Sequence, residues 1–212
     1  MRRIPIPPFT SRIIIAAFVG SFTVTSSFAA NPLSSAVAVL EKETGQKSRA
    51  FSTRDFGREK FKGPHSVLVP DDRAESLLWK IRGQVPSGSV AFIGTQRSLA
   101  DPSVDGTELV VARANSQFDI LRIAASDAVN YGKETEDLVR ILSNWDQRYG
   151  IDIYAAQTDT IQLKLESIPK DMRAFADEVY KLCPDIVDQG VGDVEKLAAE
   201  IAATKTVFLW WD

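Results

Sequence analysis

The chain is expected to fold as an α+β protein, a two-layer sandwich of sheet and helices. Three observations carry this. Apolar residues recur with helical spacing in several separate stretches, and with strand alternation in others. Hydrophobic residues make up 44% of 212 positions, ample for a sizeable core. From position 107 onward the segments run strand, helix, strand, strand, helix, strand, the order of a ferredoxin-like split βαβ unit, with an additional helix before the last strand.

Arg2, Arg3 and Arg12 precede the uncharged run 13–24, and small residues follow. This is the layout of a secretory signal peptide, with Ser27 and Ala29 at the positions a signal peptidase reads and a cut after Ala29. The run is too short to span a bilayer, so no stable membrane anchor remains after cleavage. The protein is therefore expected in the periplasm or secreted. Loss of the three arginines takes the net charge from −3 to −6 and disfavours nucleic acid as a partner. Cys183 is the only cysteine, so stability must come from the core rather than from a disulfide.

Residues 30–106 are read as an N-terminal lobe. A short helix over 34–44, capped by Ser34 or Ser35, leads into a basic connector, 45–64. There Lys47, Arg49, Arg54, Arg58, Lys60 and Lys62 outnumber Asp55 and Glu59. The reading preferred here is a solvated connector whose Phe51, Phe56 and Phe61 dock on the core. A strand over 66–69 precedes a helix opened by Pro70-Asp71-Asp72, in which Asp72 and Glu75 have capping-box spacing. Ala74, Leu77, Leu78 and Ile81 give that helix one apolar stripe. Residues 90–95 read as a strand and 98–106 as a loop between two lobes.

The second half, 107–212, begins with a strand over 107–114. Residues 117–125 suit either helix or strand, and Ser116 as a cap favours helix. A loop, 126–133, holds Asn130-Tyr131-Gly132. Leu138, Ile141, Leu142, Trp145 and Tyr149 then line one helix face, with Thr135 as cap and Gly150 as stop. Strands over 151–156 and 161–166 flank a short turn. Met172, Phe175, Val179 and Leu182 mark a further helix, which Pro184 ends. The additional helix spans 193–204, capped by Asp193. In the closing strand, 206–211, Val207, Leu209 and Trp211 alternate with Phe208 and Trp210. Both faces are apolar, so an inner strand is expected, with the N-terminal lobe extending or covering the sheet beside it.

The second half holds Asn130-Tyr131-Gly132, the Asp159-Thr160 turn, the block Cys183-Pro184-Asp185-Ile186-Val187-Asp188-Gln189-Gly190-Val191-Gly192 and the ending Trp210-Trp211-Asp212. Together these resemble the bacterial domain of unknown function 4253 family. The resemblance spans about 107–212 and implies the domain but no reaction.

Two functions remain in view. One is an exported, non-catalytic binding or interaction module whose partner is an envelope protein. The other is a hydrolase or metal-binding enzyme. Asp159, Asp185, Asp188, Gln189 and Asp212 form the candidate cluster, because grouped carboxylates suit a hard cation or acid–base work. Asn130, Tyr131 and Trp211 are secondary candidates. No cofactor is implied: there is no Gly-rich phosphate loop, nucleophile elbow or paired-cysteine zinc site. The split βαβ geometry places Asp159 near the 184–192 loop. The additional helix recrosses the sheet and so brings Asp212 to the same edge. Gathered acids would require a cation, either Arg113, Arg122 or a metal. Cys183 is expected to be a buried, inert thiol, since the C-terminal end of a helix disfavours a thiolate.

Overall fold

A computed structural model of the chain describes residues 31–52, 63–95 and 106–212. The expected signal peptide, the centre of the basic connector and most of the 98–106 loop lie outside them.

The class is α+β, as expected. Among the described residues, seven strands form one mixed sheet in the order β1-β2-β4-β3-β5-β6-β7. They are β1 (Arg49–Ala50), β2 (His65–Val69), β3 (Ser89–Ile93), β4 (Thr107–Arg113), β5 (Ile151–Ala156), β6 (Thr160–Leu165) and β7 (Thr206–Trp210). The helices are α1 (Pro32–Thr44), α2 (Asp71–Arg82), α3 (Asp119–Ala124), α4 (Thr135–Tyr149), α5 (Met172–Leu182) and α6 (Val194–Thr204).

Strand alternation sorts the core into two clusters, one on each face of the sheet. On one face α1 and α2 set Leu40, Leu78 and Ile81 against Val67, Leu109 and Val111. On the other, the later helices set Leu121, Leu142, Phe175 and Leu197 against Phe92, Val110, Ile153, Leu163 and Leu209. The two-layer expectation thus holds over β6 and β7, whereas helices cover both faces of the sheet on its N-terminal side. A bulge between Ile153 and Ala155 lets Tyr154 and Ala155 both join the α1–α2 side, while Ala156 returns to the other.

Two strand placements differ from expectation. In a ferredoxin-like order the last strand would pair beside the first. Here β4 has both edges filled, by β2 and β3, so β7 takes the free edge of β6. The N-terminal lobe therefore does extend the sheet, but at the end opposite β7. The closing strand is an edge strand and not an inner one, and Phe208 is 43% exposed.

Within the sheet the contact between β3 and β5 is thin: they run parallel and register only at Ile93 and Ala155. Side chains supplement it. Arg82 donates to the Ala91 carbonyl at 2.7 Å, to Asp152 at 2.5 Å and to the Ile153 carbonyl at 2.6 Å. The Gln117 amide imitates a neighbouring strand, donating to the Ile151 carbonyl and accepting from the Ile153 N–H, both at 2.9 Å. These bonds satisfy backbone groups that a longer ladder would otherwise pair.

Several caps also differ. Asn31 caps α1 in place of Ser34 or Ser35, which lie inside the helix. Glu134, one residue before Thr135, caps α4 through a reciprocal box with Asp137. Pro70 precedes α2 with no side-chain cap, and Glu75 bonds Trp79 and Lys164 instead. Residues Asp119–Ala124 are helical, but Ser116 caps only the turn before them.

Candidate functional site

Three chain segments meet at the end of the sheet where β5 turns into β6. The loop after α3 is pinned there by Ser126, whose hydroxyl donates to the Gln157 carbonyl at 2.5 Å, and by the Asp127 N–H, which donates to the Thr158 carbonyl at 2.9 Å. A single 3₁₀ turn, Val129–Tyr131, follows, closed by Gly132 at φ 63°, a conformation that suits glycine. The second segment leaves α5 through Cys183 and Pro184 into a turn of π-helix, Ile186–Val191. The third is the end of β7. It arrives here because α6 returns the chain across the sheet and β7 runs antiparallel to β6, with Trp210 opposite Thr160.

Asp185 is the centre of the meeting. It is 5% exposed, and both carboxylate oxygens are used. Oδ1 accepts from the Tyr131 hydroxyl at 2.7 Å and from the Gln189 side-chain amide at 3.0 Å. Oδ2 accepts from the Asp212 backbone N–H at 3.0 Å. Asn130 donates from its side chain to the Asp212 carbonyl at 3.0 Å. Trp211 is tied twice, its backbone N–H to the Asp159 carbonyl and its indole N–H to the Leu182 carbonyl, each at 3.0 Å. The second bond satisfies a carbonyl in the last turn of α5.

The juxtaposition expected from the sequence is therefore present: Asp159, Asp185, Gln189, Asn130, Tyr131, Trp211 and Asp212 share one edge. Their roles are unequal. Asp159 contributes its backbone carbonyl to Trp211, and its side chain stands exposed. Asp188 is exposed and accepts from the Tyr180 hydroxyl at 3.0 Å, apart from the Asp185 bonds.

Neither arginine named as a candidate is among the described partners of the cluster. Arg122 is held by Glu136 and Asp119. Arg113 stands at the end of β4, beside the groove that Arg122 lines. Neutral donors compensate Asp185 instead, which is sufficient for one carboxylate. Among the described residues no group of three or more His, Cys, Asp or Glu is placed to hold a metal.

These bonds set the electrostatics. The Tyr131 hydroxyl, the Asp212 N–H and the Gln189 amide together hold the Asp185 carboxyl below its usual range, against the opposing effect of burial. The same bond, with the adjoining negative charge, pushes the Tyr131 phenol up to about 12. A carboxylate so stabilised is a poor base, and a phenol so raised is a poor nucleophile.

Cys183 is fully buried. Its thiol donates to the Trp210 carbonyl at 2.8 Å and accepts from the Trp210 N–H at 3.2 Å, so it occupies the outer edge of β7 as a neighbouring strand would. Burial pushes its pKa up. In the native protein, a disulfide-exchange reagent should label Cys183 at least about a hundredfold more slowly than after denaturation. Equal rates would contradict its enclosure.

Sequence reasoning missed Ser126 and Leu182 as anchors of this site. Neither carries a signal, since one is an unremarkable loop serine and the other contributes only its backbone. The thiol's contact with Trp210 was equally hidden, because it joins residues 27 positions apart.

The fold and this cluster define an α+β domain whose closing strand is locked into its own sheet edge by buried polar contacts. Residues 108–212 match the family described as Domain of unknown function (DUF4253), and the C-terminal half of the chain belongs to it. No curated protein and no solved structure matches the chain.

Proposed function

We propose that the chain is an exported, non-catalytic interaction module for an envelope protein. The observation that carries this reading is the commitment of Asp185: its oxygens are occupied by donors of the same chain, one of them the backbone N–H of Asp212. A catalytic carboxylate needs capacity for substrate or water, whereas a structural one is used up in this way. Asp188 bonds the Tyr180 hydroxyl instead, and Asp212 meets Asp185 through its backbone N–H. The arginine-flanked apolar run ending at Ala29 supports export.

N-terminal sequencing of the protein recovered from the envelope should begin at Ala30. Intact Met1 on protein confined to the cytoplasm would overturn export. Immobilised mature protein should retain a defined envelope protein saturably. Stoichiometric divalent metal in the purified protein, lost in Asp185→Asn, would overturn the non-catalytic reading in favour of a metal-dependent enzyme.

A further inference from the structure

At the outer edge of β7 lies a groove of about 390 Å³. Its apolar lining comes from the π-turn (Ile186, Val191), α6 (Leu197, Ile201) and β7 itself (Phe208, Trp210). Glu200 is the one charged residue lining it, exposed and in no ion pair among the described residues.

The backbone beside this groove is open in the middle of the strand. The Trp211 N–H bonds the Asp159 carbonyl, and the Lys205 carbonyl accepts from the Leu165 N–H. Odd-numbered residues of β7 therefore face β6, and antiparallel alternation turns the N–H and C=O groups of Thr206, Phe208 and Trp210 outward. Both Trp210 groups are taken by the Cys183 thiol, and the Thr206 N–H by the Thr204 hydroxyl. Phe208 is left as the middle of the strand, 43% exposed and with its two backbone groups facing out. Edges of this kind are sites for strand addition.

We propose that this edge binds an extended segment of a partner protein that carries an apolar residue flanked by lysine or arginine. The segment pairs with the Phe208 backbone, drops its apolar side chain into the groove, and sets its cations against the acidic surroundings. Charge complementarity selects this occupant. From Cys183 to Asp212 the chain carries Asp185, Asp188, Asp193, Glu195, Glu200 and Asp212 against Lys196 and Lys205, and Arg173 of α5 pairs with Glu195. Lys196 is already paired with Asp193. Glu200 and Asp212 are exposed and paired with no cation among the described residues. A second copy of this chain is a poorer occupant, because the Cys183–Val191 segment covers the edge at Trp210 and would obstruct reciprocal pairing through the length of β7.

This inference rests on the interaction-module reading and specifies its partner. Its test uses the purified protein and a fluorescent, end-capped peptide, Lys-Lys-Val-Phe-Val-Lys-Lys, by anisotropy. The peptide should bind saturably and more weakly as salt is raised, and the Glu-Glu-Val-Phe-Val-Glu-Glu version should bind at least about tenfold more weakly. Glu200→Lys, on an exposed helix position, should weaken the lysine peptide by about tenfold. Phe208→Pro, which removes the outward N–H, should abolish binding while circular dichroism reports the native fold. Equal binding of both peptides, indifference to Glu200→Lys, or concentration-dependent dimers blocked by Phe208→Pro would overturn the proposal. Loss of peptide binding while the envelope partner is still retained would sink the groove alone and leave the module reading standing.

Discussion

Replacing Trp211 with alanine should destabilise the protein by about 3–5 kcal/mol, as removal of a large buried aromatic does. The expectation follows from where the ring is. Trp211 is 4% exposed, belongs to the larger core cluster, and bonds the Leu182 carbonyl through its indole. Alanine would leave both a cavity and an unpaired carbonyl at the end of α5. Trp211→Phe should keep most of the volume and lose chiefly the hydrogen bond, costing about 1–2 kcal/mol. Trp210→Ala should cost less than Trp211→Ala, because its ring is only half-buried at the groove. Denaturant midpoints with unchanged slopes would measure all three. A Trp211→Ala protein as stable as the wild type would show that Trp211 is not built into the core.

Asp185→Ala should cost about 2–3 kcal/mol at neutral pH, because it leaves the Tyr131, Gln189 and Asp212 donors without their acceptor. The penalty should depend on pH with a definite sign. The folded state holds the Asp185 carboxyl below its usual range, so between the two pKa values the unfolded chain binds the proton more readily. The stabilisation is complete above about pH 4, the unfolded value, and is lost as pH falls through the lowered folded value. Wild type and Asp185→Ala should therefore converge in acid. At the alkaline end the sign reverses. Tyr131 is raised to about 12, so its contribution is complete below about pH 10 and lost as pH rises towards 12. Tyr131→Phe should remove that alkaline loss. Urea midpoints across pH for the three proteins test both limbs, and a penalty constant from acid to alkali would refute the assignment of Asp185 as the hub.

Much of this fold was legible along the chain because its signals are local. The stripe Leu138, Leu142, Trp145 placed α4, and Trp145 packs edge-on against Phe175 at 5.1 Å. Asp193 capped α6 as read, accepting from the Lys196 N–H. Capping was less legible where several polar residues stood in a row. Glu134 and Thr135 could each begin α4, and only the reciprocal bond with Asp137 selects between them. The two-residue strand β1 had no signal of its own, since so short an element exists only through its pairing with β2.

The candidate site divides in the same way. The length of the additional helix was enough to predict that Asp212 returns beside Asp159 and Asp185, because the rise of a helix is a property of the chain alone. The identity of the hub was not. Asp185, Asp188, Asp159 and Asp212 are equivalent in sequence, and burial together with the direction of three donors singles out Asp185.

By itself the sequence determined the helices, the strand alternation, the buried thiol and the gathering of the motifs at one edge, all consequences of short-range periodicity, capping and chain length. Only the tertiary structure decided the strand order. Which edge β7 could join depended on β2 and β3 already flanking β4, and that competition for hydrogen-bonding edges lies between segments distant in sequence. The apolar outer face of β7, which read as a buried strand, is in consequence the side that the protein leaves open.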